Sequence, residues 1–233
     1  HPILLDELLT PLGVHTLPDW VVLEAELVHQ LYHANIPKAE LTEWQMDVLR
    51  HFQHAQTFRL LAVDLEGNLP LEKLSDHLAE LAGLILGHVL QLAWQGLKKK
   101  HRPDPVFTII GYGKLGGKEL GYVSDLDIVF LYDDDDPDAL AVYTKLAQSI
   151  NHWLTAHTSA GVLYEIDLRL RPSGATGLLA NSMEAFANYQ HQLAWVWEHQ
   201  ALTRARFVVG DQQAGEKFEQ LRREILCQPR KLT

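Results

Sequence analysis

The 233-residue sequence is poor in cysteine and has no long apolar segment. Cys227 is the only cysteine, so no internal disulfide can form, which suits a reducing compartment. No run of about 18 apolar residues is present, so we expect no membrane-spanning helix. The N-terminus lacks the pattern of a secretory signal peptide. These absences lead us to expect a cytoplasmic protein with no membrane partner.

Positive charge is also scarce in this chain. Lysine and arginine total 20 against 30 aspartates and glutamates, which gives a formal net charge of −10 and a pI near 5.7. A protein that binds nucleic acid nonspecifically needs a basic surface, so we expect no nucleic-acid partner. The apolar fraction of 47% is ample for a folded core.

Helical periodicity dominates the sequence before residue 100. Apolar residues recur at helical spacing in Trp20–Tyr32, from Leu41 to about Val63, and from Leu74 to Leu97. A further apolar stripe lies near the N-terminus, at Leu4, Leu5, Leu8 and Leu9. This part of the chain is therefore predicted to be helical.

The stretch from Val106 to Asp134 concentrates the unusual features of the sequence. It reads as a strand, a glycine-rich loop, a short helical turn and a second strand. Such a density of glycine indicates positive φ angles, or a backbone that must approach a ligand closely. Five of the fifteen glycines lie here: Gly111, Gly113, Gly116, Gly117 and Gly121.

Two aspartates open the second strand, which is predicted over Asp125–Tyr132. Because side chains alternate along a strand, Asp125 and Asp127 share one face while Leu126 points the other way. Neighbouring carboxylates repel each other, and a divalent cation such as Mg²⁺ relieves that repulsion. A glycine loop beside two acids can supply N–H groups for phosphate and carboxylates for metal. Taken alone, Asp-x-Asp is more simply a solvated strand start.

A third stretch, from Gly161 to Pro172, alternates apolar and charged residues and is predicted to be a strand. Its polar face carries Glu165, Asp167, Arg169 and Arg171. If this strand pairs with the previous one, a third carboxylate joins the first two, flanked by guanidinium groups suited to phosphate. Two metal ions about 3.5–4 Å apart, held by shared acids, are a known arrangement for nucleotidyl transfer. An edge strand with a charged outer face is the alternative.

Other glycine motifs fit the sequence less well. The residues at 111–116 match the dinucleotide fingerprint Gly-x-Gly-x-x-Gly by letter. Only about eight residues separate Gly116 from Asp125, however, which is too short for the crossover helix of a Rossmann unit. A Walker A loop is excluded because Lys118 is followed by Glu119, where serine or threonine is required.

Together these stretches resemble a known family. GYGKLGGKELGY followed by SDLD resembles the catalytic motif of the glutamine synthetase adenylyltransferase/adenylyl-removing enzymes, members of the polymerase-β-like nucleotidyltransferase superfamily. The superfamily pattern is a glycine pair, then Asp-x-Asp opening a strand, then a third acid on a later strand. The HPILLDELL, LRLRPSG and WEHQALTRARFVVGD runs extend the resemblance over most of the chain. This family carries two such domains in one chain. The residues of the glycine motif and of the HPILLDELL run are more similar to the C-terminal, adenylylating domain.

The resemblance implies an α+β fold, with a small mixed sheet as the nucleotidyltransferase core and helical segments on both sides. We expect a helical segment over residues 1–100, the catalytic core over 101–180 and a C-terminal helical segment over 181–233. Helical spacing beyond the glycine loop predicts helices over Asp138–Thr155, Met183–Arg204 and Glu216–Leu226. The acidic run Asp133–Asp136 is interpreted as a solvated turn.

The resemblance also implies an activity. ATP would give AMP to a tyrosine hydroxyl of glutamine synthetase and thereby regulate nitrogen assimilation, with pyrophosphate released. A PII-type signalling protein would regulate the full-length enzyme. One alternative is the adenylyl-removing copy, which uses phosphate to release ADP. Another is a non-catalytic regulatory domain that binds nucleotide.

The site residues follow from the same resemblance. Asp125, Asp127 and Asp167 would be catalytic and would hold Mg²⁺, as two ions. N–H groups of the glycine pair, together with Lys114, would hold phosphate. The residues expected to bind ATP are Gly113, Lys114, Gly116, Gly117, Ser124, Arg169 and Arg171.

Overall fold

The structure, a computed structural model, describes residues 16–33, 35–67 and 69–228. The predicted stripe at Leu4, Leu5, Leu8 and Leu9, and the HPILLDELL lead-in, lie outside the described residues. Within the described residues, three helices precede the sheet, as the periodicity predicted. They are α1 (Trp20–His33), α2 (Leu41–Leu65) and α3 (Leu71–Gly96).

Helix α3 lies at the centre of the larger of the two hydrophobic cores that the described part of the chain forms. Leu81, Ile85, Leu86 and Val89 are completely buried there. Among the described residues, α3 is the one helix whose length and composition would allow it to cross a membrane, and 67% of its most apolar window is buried inside the protein. Its apolar character is accounted for by this packing in the core.

The sheet is built around two long, buried strands. Strand β1 (Phe107–Gly111) runs antiparallel to β2 (Leu126–Tyr132), with Ile109 opposite Phe130. Between them lies a single helical turn, α4 (Gly113–Gly116). The sequence therefore predicted this strand–turn–strand unit correctly, and β2 begins one residue later than expected.

Two short strands complete the other edge of β2. Strand β3 (Ile166–Asp167) pairs parallel with the start of β2, and β4 (Ala180–Ser182) pairs parallel with its end. Helix α5 (Ala139–Thr155) provides the crossover that a parallel pair requires. The mixture of helices with a small mixed sheet confirms the α+β class.

Side-chain alternation along β2 divides the protein into two cores. Leu126, Ile128 and Phe130 point into the larger core with α3 and α5. Val129 and Leu131 point into a second core with three C-terminal elements. These elements are α6 (Met183–Gln192), β5 (Arg206–Gly210) and α8 (Gln212–Cys227).

The predicted strand over Gly161–Pro172 was wrong in its length. Only two of its residues pair with β2. The N–H groups of Leu163 and Tyr164 both donate to the carbonyl of Leu154, so the chain is still attached to the end of α5 there. The Asp167 carboxylate then accepts the N–H of Arg169 at 2.7 Å, which turns the chain away after β3.

The predicted helix over Met183–Arg204 was also wrong, because it breaks after Gln192. The Glu198 carboxylate accepts the N–H of Trp195 and the hydroxyl of Tyr189, both at 2.8 Å, and a separate helix α7 (Val196–Leu202) begins. Strand β5 follows, pairs with β1 and was not predicted. Phe186 is buried, as expected of a core stripe, whereas Leu193 and Trp197 are 68% and 56% exposed.

Asp134 corrects the interpretation of the acidic run as a solvated turn. Its side chain is only 1% exposed. It accepts hydrogen bonds from Tyr143 of α5 at 2.7 Å and from Arg102 at 2.9 Å, and it is paired with His101 at 2.7 Å. The end of β2 is therefore held to α5 and to the segment before β1.

A buried arginine fixes the approach to β3. Arg50 of α2 is completely buried and donates to the carbonyls of Trp153, Ala156 and Gly161, as well as to that of Met46. The carbonyls of Trp153, Ala156 and Gly161 lie at the end of α5 and in the loop that leads to β3. Helix α2 therefore positions the strand that carries Asp167.

Candidate active site

Three carboxylates meet where β2 and β3 begin. Asp127 and Asp167 are directly opposite each other in the parallel pair, and Asp125 lies one step before the start of β2. The N–H of Leu126 donates to the carbonyl of Glu165 at 2.9 Å, which extends the register in the direction of Asp125. The pairing of the two acid-bearing strands, which the sequence left as a condition, is confirmed.

The electrostatics of this cluster depend on its crowding. Burial raises the pKa of Asp127, and the charges of Asp125 and Asp167 raise it further, while Lys114 and Arg169 act in the opposite direction. Hydrogen bonding from Arg169 holds the pKa of Asp167 below its ordinary value. The guanidinium Nε lies 2.8 Å from Oδ2 of Asp167. The two neighbouring acids therefore have pKa values that are pushed apart.

The glycine turn approaches this cluster closely at Gly113. The N–H of Tyr112 donates to the carbonyl of Asp127 at 2.8 Å, which holds the turn against β2. Gly113 has φ +50°, and a Cβ atom there would overlap the carboxylate of Asp127. Both reasons for a dense glycine run, positive φ and close approach, therefore apply at this residue.

The N–H groups of Gly116 and Gly117, which were expected to bind phosphate, donate to backbone carbonyls within the turn. The N–H of Gly116 donates to the carbonyl of Tyr112, and that of Gly117 donates to the carbonyl of Gly113. Because the first N–H groups of a helical turn have no partner within it, those of Gly113, Lys114 and Leu115 are the ones that the turn itself does not use. The assignment of Gly116 and Gly117 to ATP binding stays a prediction.

Gly116 and Gly117 differ in what surrounds them. A Cβ atom on Gly116 would overlap the backbone carbonyls of Arg204 and Gly111, so the fold itself requires glycine there. Gly117 is exposed, has φ −78°, and a Cβ atom would meet only the side chains of Glu119 and Arg204. Only Gly117 is therefore available for substitution without a backbone clash.

Ser124 shapes the loop between the turn and β2. Its hydroxyl accepts the N–H of Gly121 at 3.0 Å, which closes a small turn directly before Asp125. Lys118, at the other end of the loop, has φ +54°, a conformation in which a non-glycine residue is strained. Lys114 is exposed, and its positive charge acts to lower the pKa of Asp127. A role of Ser124 and Lys114 in binding ATP stays a prediction.

The two arginines after β3 have separate environments. Arg169 lies on the carboxylate of Asp167 and is otherwise exposed. Arg171 donates to the backbone carbonyls of Leu168, Gly177 and Ala175, so it braces the loop after β3. For both arginines, a contact with phosphate stays a prediction. The structure shows only the bonds of Arg171 to the backbone.

Glu119 and Arg204 lie near the glycine turn and were not predicted from the sequence as part of the site. Arg204 forms an ion pair with Glu119, and its backbone carbonyl lies against Gly116. The signal was the run Phe207-Val208-Val209-Gly210, which is typical of a strand. Arg206 opens that strand opposite Gly111 of β1, and Arg204 lies two residues before it.

The carboxylates are chemically suited to a magnesium ion without forming a closed cage. Within residues 16–33, 35–67 and 69–228, no three histidine, cysteine or acidic side chains have the arrangement of a metal site. Asp167 is instead turned toward Arg169. The charges on Asp125, Asp127 and Asp167 nevertheless destabilise one another, and carboxylate oxygens are the ligands that Mg²⁺ prefers.

Comparison with known proteins agrees with this arrangement. A model of the family described as "Glutamate-ammonia ligase adenylyltransferase" matches residues 1–221. Proteins named bifunctional glutamine synthetase adenylyltransferase/adenylyl-removing enzyme are 77% identical in Nitrosomonas eutropha, 75% in Nitrosomonas europaea and 57% in Chromobacterium violaceum. These matches cover 99%, 100% and 97% of this chain and 25% of each relative. The chain therefore spans about a quarter of the length of these relatives, and it belongs to the glutamate-ammonia ligase adenylyltransferase family.

Proposed function

We propose that this chain carries a nucleotidyltransferase centre that moves AMP from ATP to a tyrosine hydroxyl of glutamine synthetase. One observation carries the proposal. The in-register pair Asp127–Asp167, with Asp125 one step before it, lies against a glycine turn that has no room for a Cβ atom at Gly113. Acids for a metal and a close-approaching backbone for phosphate are the two parts that this chemistry requires.

Magnesium is the cofactor that these donors suit. Asp125 and Asp127 would hold the ion that accompanies the triphosphate, and Asp167 would help to hold a second ion. When bound, Mg²⁺ neutralises charge that develops on the transferring phosphoryl group. Arg169 already places a positive charge on Asp167, which agrees with the need for a cation at this position.

The reaction joins the tyrosine oxygen to the α-phosphorus of ATP. The bond between that phosphorus and the oxygen bridging to the β-phosphate breaks, and pyrophosphate leaves. Lys114 and the first N–H groups of the glycine turn would bind the departing phosphates. Asp167, kept ionised beside Arg169, would accept a hydrogen bond from the attacking hydroxyl and orient it.

The acceptor hydroxyl has to lose its proton during transfer. A tyrosine side chain has an ordinary pKa of about 10, so a carboxylate or cation close to it must favour the phenolate. Asp167, directly opposite Asp127 in the strand pair, is the carboxylate that would lie beside this hydroxyl. A second ion that it helps to hold would lower the cost of forming the phenolate.

The direction of the reaction and its regulation are separate proposals. The relatives' name gives both adenylyl transfer and adenylyl removal, and one centre of this kind can serve either direction. We assign the adenylylating direction to this chain because the residues of its glycine motif resemble those of the adenylylating domain. Control by a PII-type signalling protein and a cytoplasmic location are proposed on the same resemblance.

Transfer of label tests the proposal. The purified chain is incubated with Mg²⁺, glutamine synthetase and ATP labelled at the α-phosphate, and label on tyrosine is measured. We expect label with the natural chain and none with the Asp125→Asn/Asp127→Asn variant. The exposed pair Asp104→Asn/Asp135→Asn removes the same charge elsewhere and should keep the activity.

Two results would count against the proposed function. Label that persists in the Asp125→Asn/Asp127→Asn variant would remove the carboxylates from the chemistry. Release of ADP from adenylylated glutamine synthetase and phosphate, with no label incorporated in the forward assay, would show that the chain is the adenylyl-removing copy.

A further inference from the structure

A run of exposed apolar side chains lies where α6 ends and α7 begins. Each of the four keeps between 56% and 73% of its surface exposed. No charged residue interrupts the run, although 21% of the chain is charged. Large apolar side chains that stay exposed together on a folded protein mark a contact surface. This tryptophan patch consists of Leu193, Trp195, Val196 and Trp197.

Alternation along β2 and β3 places the catalytic acids on the sheet face that carries α6, α7 and α8. Asp127 and Val129 are two positions apart in β2, so they point to the same face. Val129 packs in the second core with Phe186 of α6 and Leu202 of α7. Asp167 lies in register opposite Asp127 and shares this face. The tryptophan patch, at the junction of α6 and α7, is therefore on the same face of the sheet as the acids.

Hydrogen bonds attach the tryptophan patch to the loop that follows Asp167. The N–H of Trp195 and the hydroxyl of Tyr189 both donate to the carboxylate of Glu198, at 2.8 Å. The same hydroxyl is hydrogen-bonded to the backbone of Ser173, which lies in the loop after β3. The patch is therefore held on the side of the site where we place the attacking hydroxyl.

Helix α7 connects the tryptophan patch to the glycine turn. The helix begins at the patch and ends at Leu202, and beyond it the carbonyl of Arg204 lies against Gly116. Because an α-helix rises about 1.5 Å per residue, the seven residues of α7 span about 10 Å. The patch therefore lies at the rim of the site, away from the turn that would bind the phosphates.

The arrangement of the two indoles favours a protein partner over a nucleobase. Trp195 is the N-cap residue of α7 and Trp197 is its second residue, and side chains two positions apart do not face each other. One purine ring could cover only one of them, whereas a protein surface contacts both, together with Leu193 and Val196. Tryptophan is enriched, and charge is depleted, at the centre of protein interfaces. The proposed reaction supplies such a partner, because its tyrosine belongs to a folded protein that must reach Asp167.

We propose that the tryptophan patch docks the surface of glutamine synthetase that surrounds the acceptor tyrosine. The inference rests on the proposed function and adds the surface that recognises the protein substrate. Docking at this rim brings the tyrosine to Asp167 while the triphosphate stays on the glycine turn.

Polar substitution of both indoles tests the docking surface. The double variant Trp195→Ser/Trp197→Gln keeps a favourable N-cap residue and a good helix former in α7. We expect it to weaken binding of the chain to immobilised glutamine synthetase about tenfold or more, because exposed tryptophans contribute strongly to interfaces. The kcat/KM for AMP transfer should fall by a similar factor, mainly through KM. The Kd of Mg·ATP should stay within about twofold.

Two further double variants complete the design. Val21→Ser/Leu65→Gln changes apolar side chains that are 80% and 79% exposed on α1 and α2, and it should bind glutamine synthetase as the natural chain does. Leu193→Ser/Val196→Ser changes the tryptophan patch without touching its indoles, and it should also weaken binding. This second patch variant carries the test if urea unfolding shows that the tryptophan variant does not fold.

Three results would overturn the inference. The first is an unchanged affinity for glutamine synthetase in the patch variants, or no binding by the natural chain. The second is a loss of Mg·ATP affinity in the tryptophan variant, which would assign the patch to the nucleoside. The third is self-association of the natural chain in sedimentation that the patch variants lose while they still bind glutamine synthetase, which would assign the patch to a second copy. If the natural chain binds glutamine synthetase but transfers no AMP, the proposed function fails, and weaker binding by the patch variants still supports the docking surface.

Discussion

At the scale of single residues, the glycine turn shows how one motif serves two needs. Gly113 has positive φ and lies against Asp127, where only glycine fits. Gly116 lies against the carbonyl of Arg204 and is required by the packing of the turn next to β5. Gly117 has neither constraint, so its reason for being glycine is expected to lie outside the folded chain, in a ligand.

This difference predicts opposite effects of two substitutions. Gly117→Val should leave the free energy of unfolding within about 1 kcal/mol of the natural value, because it meets only movable side-chain ends. It should reduce AMP transfer about tenfold or more, since the side chain blocks the approach of phosphate. Gly116→Ala should lower the free energy of unfolding by about 3 kcal/mol, because it pushes on two backbone carbonyls.

Urea unfolding and transfer rates, measured on both variants, check the prediction. A large stability loss in Gly117→Val, with a normal rate per folded molecule, would make Gly117 a structural turn residue and nothing more.

At the scale of elements, the end of β2 depends on a buried carboxylate. Burial raises the pKa of Asp134, but the hydrogen bonds from His101, Tyr143 and the N–H of Asp136, together with the charge of Arg102, outweigh burial and lower it overall. A carboxyl whose folded-state pKa is lowered stabilises the protein above its unfolded pKa. That contribution is lost as the pH falls through the folded-state pKa.

Asp134→Asn should therefore cost about 3 kcal/mol of unfolding free energy at pH 7, since it leaves buried donors around a neutral side chain. The difference from the natural chain should begin to shrink below about pH 4, where the carboxyl of the unfolded chain takes up a proton, and should disappear once the pH falls through the lowered folded-state pKa. Urea unfolding at both pH values measures it. The exposed neighbour Asp135→Asn is the control, and a difference that is independent of pH would contradict the role given to this charge.

The elements also show where sequence patterns stop being informative. The strand–turn–strand unit and the helices before it were predictable because alternation and 3.6-residue periodicity are local. The length of β3 was not, because it depends on the attachment of the chain to the end of α5 and on Arg50, which lies 111 positions before its partner Gly161. The break at Trp195 was missed because a glutamate, Glu198, stabilises the new helix start without any proline or glycine.

The candidate site followed the same division. That Asp125 and Asp127 share a face could be deduced from alternation alone. The in-register partner Asp167 depended on a pairing that only the fold provides. Arg204 was missed because the predicted helix was extended as far as this residue, although the run Phe207-Val208-Val209-Gly210 after it is typical of a strand.

At the scale of the whole molecule, the N-terminal helices and the sheet share one core. Buried residues of α2 and α3 form a single cluster with those of β1, β2 and α5. The division into segments 1–100, 101–180 and 181–233 stays a prediction, but the first two are expected to unfold together.

Ile85→Ala tests this shared core. Ile85 is completely buried at the centre of α3, so its truncation should cost about 2–5 kcal/mol. Far-UV circular dichroism and tryptophan fluorescence should lose their signals in one coincident transition. Leu71→Ala, on the exposed start of the same helix, should cost less than about 0.5 kcal/mol. Two separate transitions would show that the helices and the sheet are independent.

The central claim is that Asp125, Asp127 and Asp167 form one centre with divided roles. Asp167 stands beside Arg169 on the strand opposite Asp127, where it can serve the attacking hydroxyl while the other two acids serve the triphosphate. Removing a positioned catalytic group of this kind costs about 10²–10⁴ in rate.

The most direct test measures the single-turnover rate of AMP transfer and the Kd of Mg·ATP for Asp167→Asn, with exposed Asp135→Asn as control. We predict a rate that falls by about 10²–10⁴ and a Kd that stays within about tenfold, a difference of about 1.4 kcal/mol. Loss of ATP affinity together with rate would place Asp167 in the nucleotide's own metal site. An unchanged rate would contradict the three-carboxylate centre altogether.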